Sequence, residues 1–286
     1  MNPFLRVMGP NYYDQLIRQG KIIMQSGRVE AFVLSGVAAL ALSVSPVMAG
    51  DAAATSDWQG FYLGLALGGA HSAAKPDTGV VYGTGYFNDA GGASDRDQIN
   101  PILQRRIDGQ DLTGSVLAGY DFQSGNITYG LEGDLTFMGF SQTQSAGPVN
   151  YDTAPASTFT TRTTIESDFL LSLRPKLGYV SGPFQFYVSA GPSVSRFKMT
   201  HQYSDTHNGG SSVTFSDSKT ALGVSSSIGV GYMLSDGWVL RSDYVFSYYP
   251  DVTGGSSDLN GDGKTDFTYG SDFQSHNLRL ALIKRF

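Results

Sequence analysis

The sequence predicts an all-β protein: an eight-stranded antiparallel up-and-down transmembrane β-barrel. Three observations predict it. Eight segments alternate large apolar side chains with small or polar ones, the connections between them alternate long and short, and the faces opposite the leucines carry charges. Alternation with period two indicates strands, because successive side chains point to opposite faces. After residue 49 no apolar run is long enough for a spanning helix, so a membrane protein of this sequence must be a closed barrel.

Composition narrows the class of protein further. Charged residues make up 15% of the chain, and 36 Gly, 16 Tyr and 17 Phe indicate many turns and aromatic strands. The net charge of -6, without any run of Lys or Arg, argues against a nucleic-acid partner. The absence of cysteine excludes a disulfide framework, a thiolate metal site and a lipidated N-terminal cysteine.

Residues 1–49 are predicted to be an N-terminal extension and cleavable signal peptide. The apolar stretch Ala31–Val47 is short for a spanning helix and runs into a small-x-small motif, with cleavage expected after Ala49. The stretch before Met24 is unusual for a signal, so translation is expected to start at Met24, a longer signal being the alternative. Residues 50–286 then form the barrel domain.

The eight predicted strands carry their large apolar residues on one face and small or polar residues on the other. They are Trp58–Ala70, Leu112–Phe122, Ile127–Phe140, Glu166–Val180, Phe184–Phe197, Thr220–Leu234, Trp238–Tyr249 and His276–Phe286. In the last strand the leucines face lipid in a membrane barrel, whereas in a soluble sandwich they would face a core. The other strands favour the barrel, because the faces opposite their large apolar residues carry too many charges for a soluble core.

The predicted connections alternate between long polar loops and tight turns. Residues 71–110, 141–164 and 250–272 are predicted loops, as is the polar stretch that contains His201 and His207. Short periplasmic turns and long extracellular loops are typical of transmembrane barrels. Aromatic residues flank the short turns, where a girdle is expected: Tyr120, Tyr179, Phe184, Tyr232 and Trp238.

Four short motifs resemble the small alphaproteobacterial outer-membrane β-barrel proteins, relatives of the opacity proteins and of the OmpA transmembrane domain. They are Trp58–Gly64, Leu117–Asp121, Leu173–Tyr179 and the terminal Phe286. The resemblance covers residues 58–286. It implies an integral protein of the Gram-negative outer membrane, often abundant and immunogenic, with a role in envelope integrity and host contact. It also implies that Phe286 is the signal recognised by the barrel assembly machinery.

Inward-facing charges are predicted to form an ion-pair network in the lumen. They are Glu132, Asp134, Arg174, Lys176, Arg241, Asp243, Arg279 and Arg285. Eight strands leave an interior just wide enough for side chains to fill, and unpaired charges there would be costly. The expected result is a filled, closed interior. The alternative is a narrow or gated pore for small solutes or ions.

The segment Asp258–Asp266 matches the first nine positions of a calcium loop. The expected ligands of a weak Ca²⁺ site are Asp258, Asn260, Asp262, Lys264 through its carbonyl, and Asp266. Position 12 is Tyr269 rather than the bidentate Glu, and strands rather than helices flank the loop. The alternative is an acidic solvated loop, and no other cofactor is expected.

The functional prediction is a structural, surface-exposed outer-membrane protein and not an enzyme. Its expected partners are outer-membrane lipid and lipopolysaccharide, the barrel assembly machinery, and a host or surface ligand bound through the loops. No nucleophile stands beside a base in any motif of the sequence, and no catalytic residue is assigned. A lipid A modifying enzyme is the remote alternative.

Overall fold

The computed structural model describes residues 57–286 except 84, 91 and 92. The predicted signal peptide, its cleavage site and the choice of start at Met24 lie outside the described residues. Eight long strands make the barrel, and three short strands and one helix lie in the first connection. The strands are β1 Gly60–Pro76, β2 Gly79–Val80, β3 Asp89–Ala90, β4 Ala93–Ser94, β5 Ile107–Ser124, β6 Ile127–Asn150, β7 Thr158–Ser181, β8 Phe184–Asp205, β9 Ser212–Met233, β10 Trp238–Ser257 and β11 Phe267–Arg285, and the helix is α1 Asp95–Leu103.

Each long strand pairs antiparallel with its neighbour in the chain, and β11 pairs with β1 to close the ring. The closing register runs from Tyr62 opposite Arg285 to Pro76 opposite Ser271. Two of the connections at one end are tight because glycine supplies a positive φ at each, with Gly125 at 59° and Gly182 at 55°. The predicted eight-stranded up-and-down barrel is confirmed. Among the described residues no helix is long and apolar enough to cross a membrane.

The half of the barrel next to the short turns is apolar outside and polar inside. Its outward leucines and aromatics are exposed, with Leu67 and Leu222 each at 76%, whereas its inward Glu132 and Arg174 are at 0% and 1%. This outward surface, from about Phe61 to Leu67 on β1 and the corresponding levels of the other strands, is called the band below. It has the polarity expected of a barrel wall that faces lipid.

The strands continue far beyond the band, and there the polarity reverses. Strands β6 and β7 are each 24 residues long, whereas about 9 to 11 residues suffice to cross a membrane. In the upper part of β7, Phe159 and Ile165 point inward and are buried, while Thr160 and Arg162 point outward. This part of the barrel above the band, together with residues 77–106, is called the collar below.

The prediction of long loops at 141–164 and 250–272 is wrong for most of their length, as is the loop prediction around His201. These stretches are strand. The predicted loop at 71–110 is strand at both ends and contains α1. The misassignment has a physical cause: outside the membrane the outward side chains are Ser, Thr and Gln, so a strand there looks like a polar loop. The alternation of a strand is visible there only when the inward aromatic side chains are recognised as its second face.

The collar is split into two lobes of four strands. Pairing of β5 with β6 stops at Gly114 opposite Phe137, and pairing of β9 with β10 stops at Val224 opposite Tyr248. Above these points β6–β9 remain paired with one another, as do β10, β11, β1 and β5. The two sets are called the β6–β9 lobe and the β10–β5 lobe.

An apolar core fills the collar, and α1 contributes to it. Ile99 and Leu103 of the helix are buried in the same cluster as Phe159, Tyr203 and Phe267. Ser94 caps the helix by accepting a hydrogen bond from the Asp97 N–H. The helix is tied to the β6–β9 lobe by the Gln98 side chain, which donates to the Asn150 carbonyl. Residues 77–106 thus cover part of the collar core.

Candidate functional site

Six side chains inside the band form a closed cycle of alternating acids and arginines. Around the cycle the order is Glu132, Arg174, Asp134, Arg279, Asp243 and Arg241, which returns to Glu132. They come from strands β6, β7, β10 and β11 because inward positions recur every second residue. Every member is 3% exposed or less. Each carboxylate contacts two guanidinium groups, which offsets the cost of burying the charges.

The distances within the cycle are those of direct ion pairs. Arg174 Nη2 lies 3.0 Å from Glu132 Oε1 and 3.3 Å from Asp134 Oδ2. Arg241 Nη2 lies 2.9 Å from Asp243 Oδ2. Guanidinium groups suit this arrangement because a planar fork can serve two carboxylates at once.

The other two predicted cations, Lys176 and Arg285, pair with Asp121 rather than with the cycle. Lys176 Nζ lies 2.8 Å and Arg285 Nη1 3.1 Å from Asp121 Oδ2. The Tyr62 hydroxyl joins the two groups, since it donates to Glu132 Oε2 at 2.9 Å and accepts from Lys176 Nζ at 3.1 Å.

Sequence reasoning missed Asp121, Tyr62 and Tyr187, whose hydroxyl donates to Asp243. The alternation itself could have found them. Asp121 follows the outward Tyr120 and precedes the outward Phe122, and therefore faces inward. With Asp121 included, five cations face four carboxylates in the bore.

A layer of hydroxyl groups separates the cycle from the collar core. Ser167 pairs with Ser195 at 3.0 Å, and Ser225 with Ser247 at 3.0 Å. A cavity of about 10 Å³ lies here, lined among others by Arg174. That volume holds about one water molecule.

A second polar cluster lies in the collar, around the Asp205 carboxylate. Tyr86 donates to Asp205 Oδ2 at 2.7 Å, and Tyr151 donates to the same oxygen at 2.8 Å. Tyr151 and Tyr203 share a hydrogen bond of 2.7 Å. Burial raises the pKa of each of these three phenols, so all stay protonated. The cluster ties the first connection and the β6–β7 and β8–β9 connections together.

The structure places the four histidines at three different positions, and only His71 and His276 are neighbours. His201 lies within β8, buried, with Nδ1 2.8 Å from the Thr163 hydroxyl, whereas His207 lies in a short 3-10 turn beyond it. Burial lowers the pKa of His201 to about 4. His71 and His276 face each other across the β1–β11 ladder.

The predicted calcium loop is held by hydrogen bonds within the loop. Asp258 accepts hydrogen bonds from the N–H groups of Gly261 and Gly263, both at 2.7 Å. The donor from Gly263, followed by the other loop N–H groups, lowers the pKa of Asp258. Asp262 accepts from the Lys264 N–H, and the buried Asp266 accepts from the Leu259 N–H. In the part of the chain that the structure describes, no three His, Cys, Asp or Glu side chains are grouped as a metal ion would require.

The C-terminal Phe286 follows β11 at the short-turn end of the barrel. Its N–H donates to the Phe61 carbonyl at 2.9 Å, and its side chain is 71% exposed. The aromatic residues predicted to flank the short turns are also exposed, from 38% for Phe184 to 52% for Tyr179. The recognition of Phe286 by the assembly machinery stays a prediction.

A closed ring of eight antiparallel strands, apolar outside and charged inside, defines a transmembrane β-barrel. The chain matches the family model of the outer membrane protein beta-barrel domain over residues 37–274. It therefore belongs to the outer-membrane β-barrel family. The outer membrane of a Gram-negative bacterium is its location, as predicted.

Two curated relatives are alphaproteobacterial, which confirms the predicted resemblance. The 22 kDa outer membrane protein of Rhizobium leguminosarum bv. viciae is 26% identical over 192 residues, or 67% of this chain and 64% of that protein. The 25 kDa outer-membrane immunogenic protein of Brucella abortus biovar 1 is 23% identical over 230 residues, or 80% and 84%. Among solved structures, Ail of Yersinia pestis, in complex with the heparin analogue sucrose octasulfate, aligns over 77% of this chain and 99% of its own, with a TM-score of 0.31 and 12% identity.

Proposed function

We propose that this protein is a non-conducting structural component of the outer membrane whose collar forms a contact surface outside the cell. The observation that carries the proposal is the closed cycle of six side chains, because it fills the bore at the level of the band. Above the cycle, the hydroxyl layer and the apolar collar core fill the interior of the barrel along the same axis. An ion that crossed the bore would have to displace buried, paired charges, at a cost of several kcal/mol for each ion.

The collar supports the second half of this proposal. Its outward surface is polar, its two lobes rise well beyond the length that a membrane requires, and its core and hydrogen-bonded connections fix its shape. A rigid polar surface outside the membrane suits contact with neighbouring envelope molecules or with another cell. The envelope-integrity role of the protein would then rest on the collar and the plugged barrel together.

Single-channel conductance in planar bilayers tests the proposal. The refolded protein should give no conductance steps while circular dichroism shows a folded β-protein. The double variant R174M/R279M should also be silent and should unfold more easily than the native protein, because its carboxylates lose their partners. Stable, ion-selective steps from the native protein would overturn the proposal in favour of a narrow pore.

A further inference from the structure

Oxygen atoms from three separate connections meet at the Asp205 carboxylate in the collar. Asp205 ends β8, Tyr151 follows β6, and Tyr86 lies in the first connection. The Tyr86 hydroxyl lies 2.9 Å from Asp205 Oδ1 and 2.7 Å from Oδ2, and the Tyr151 hydroxyl lies 2.8 Å from Oδ2. One carboxylate oxygen is therefore in contact with two phenol oxygens.

The spacing of these oxygens matches the coordination sphere of a metal ion. Ligand atoms about 2.0 Å from a metal in octahedral geometry lie about 2.8 Å from one another. The contacts of Asp205 Oδ2 with Tyr86 and Tyr151, at 2.7 Å and 2.8 Å, have the length of two edges of such a sphere. Hydrogen bonds have the same length, so a preference for a cation has to come from the charges around the cluster.

The carboxylates in and around the cluster are buried without cationic partners. Asp95, Asp205 and Asp266 are 3%, 9% and 1% exposed. Among the residues that the structure describes, none of the three forms an ion pair with Lys or Arg, whereas every carboxylate in the bore contacts at least one. Burial raises the pKa of Tyr86, and the negative charge of Asp266 adds to the effect. This part of the collar therefore has an excess of buried negative charge, which favours a bound cation.

Two further side chains complete the surroundings of the three oxygens. The centroid of the His207 ring lies 6.3 Å from that of Tyr86 and 5.9 Å from that of Tyr151. His207 is half-buried and more exposed than the other members, so an ion would enter past it. The Tyr203 hydroxyl shares a 2.7 Å hydrogen bond with Tyr151, a contact of the kind that orients a metal ligand.

We propose that Asp205, Tyr86 and Tyr151 bind one ferric ion, with His207 as a fourth ligand. One carboxylate and two phenolates carry three negative charges, so a trivalent cation makes the site neutral and reduces the cost of its burial. Hard cations prefer oxygen ligands, and Tyr is an iron ligand in haem proteins. Both phenols release their protons to solvent when the metal binds, and the iron stays ferric.

The test is a titration of the full, folded protein in detergent with ferric nitrilotriacetate. Binding is followed by the visible charge-transfer band that phenolate ligands give to ferric iron. The native protein should develop this band and saturate at one iron per chain, and folded Y151F and D205N should each bind roughly tenfold more weakly or worse. Y248F, which removes a phenol that donates to Asp272 between β10 and β11, should bind as the native protein does. Heat-dependent electrophoretic mobility shows that each barrel is folded.

The variant Y203F distinguishes a metal site from a cluster that only supports the collar. Tyr203 contacts a proposed ligand but is not one, so Y203F should keep the band at a shifted wavelength, because the Tyr151 phenolate loses a hydrogen bond. Gallium(III), which has the charge of ferric iron and gives no such band, should displace the iron, whereas millimolar Ca²⁺ should not.

Four results would overturn the inference. They are the absence of the band in the folded native protein, a band of native strength in Y151F and D205N, loss of the band in Y203F equal to that in Y151F, and displacement of the iron by Ca²⁺. The result is independent of the conductance experiment, because the cluster lies in the collar and not in the bore.

Discussion

At the scale of single residues, the bore is governed by the rule that buried charges must be paired. Asp134 contacts Arg174 and Arg279, and Asp243 contacts Arg241 and Arg279. Because the cycle is closed, each residue forms ion pairs with the two residues next to it in the cycle. Loss of one member therefore leaves two buried groups with incomplete partners.

Replacing Arg279 with methionine should lower the free energy of unfolding by about 3 to 5 kcal/mol, since Asp134 and Asp243 each lose a partner. The measurement is urea-induced unfolding in lipid vesicles, followed by tryptophan fluorescence. Lys75→Met, at an exposed position, should change stability by no more than about 0.5 kcal/mol. Equal stability of the two variants would mean that the cycle contributes nothing to the fold.

His201 should make the collar sensitive to acid. Its folded pKa of about 4 lies below its ordinary value of 6.5 because the imidazole is buried. The neutral form is favoured in the folded state, so the associated stability is present above pH 6.5 and is lost as the pH falls towards 4. The full loss is roughly 3 kcal/mol.

Hydrogen exchange of the collar strands at pH 7.5 and pH 4.5 measures this effect. After correction for intrinsic exchange, protection in the collar should fall at the lower pH, while protection in the band stays high. His201→Phe should remove most of the pH dependence, and His71→Gln, on the outward face, should retain it. Identical pH dependence in the native protein and in His201→Phe would contradict the assignment.

At the scale of elements, α1 is held mainly by its apolar face. Ile99 is completely buried in the collar core, whereas Arg96 on the same helix is exposed. Ile99→Ala should destabilise docking of residues 77–106 by about 2 to 5 kcal/mol, because it removes buried methyl groups and leaves a cavity. Limited proteolysis should then cut this segment faster, while Arg96→Ala behaves as the native protein. Unaltered cleavage of Ile99→Ala would show that the helix is held by its polar contacts.

We propose that the loop Asp258–Asp266 binds Ca²⁺ weakly, with a dissociation constant on the order of 10⁻⁴ to 10⁻³ M, as in extracellular modules. Binding would require Asp258 to exchange its hydrogen bonds with Gly261 and Gly263 for the metal. Calorimetry of the refolded protein with millimolar Ca²⁺ should give a measurable heat that Asp258→Asn abolishes. No heat from the native protein would leave the loop as a solvated turn.

At the scale of the whole molecule, the same eight strands face lipid in one half of the barrel and water in the other. In β7, Leu173 points outward beside Arg174, which points into the bore, whereas higher on the same strand Arg162 points outward and Phe159 points inward. A shift in the β7 register with both neighbours near Ser167 and Phe169 lies close to this change. The barrel is therefore a lipid-facing wall at one end and a water-facing shell around an apolar core at the other.

The change from a lipid-facing to a water-facing outer surface along the strands explains which parts of the fold could be predicted from the sequence and which could not. The band was predictable because leucines that alternate with charged residues along eight strands indicate a barrel wall with the leucines facing lipid and the charges facing the bore. The collar was mistaken for loops because the outward Thr160, Arg162 and Thr164 make the segment look polar. Phe159 and Ile165, which form the inward face of the same strand, were not recognised as its apolar side. Helix α1, with Pro101 inside it and little apolar character, gave no comparable pattern.

The sequence by itself determined the strand number, the order of turns, the inward charges and the membrane class, because these depend on alternation and on residue types. Only the tertiary structure decided the closed order of the ion-pair cycle, the pairing of Asp121 with Lys176 and Arg285, the burial of His201 and the division of the collar into two lobes. Each of these depends on strand register and on where pairing stops. Alternation fixes the face on which a side chain lies, but the height at which it meets a neighbour is set by packing between strands distant in the chain.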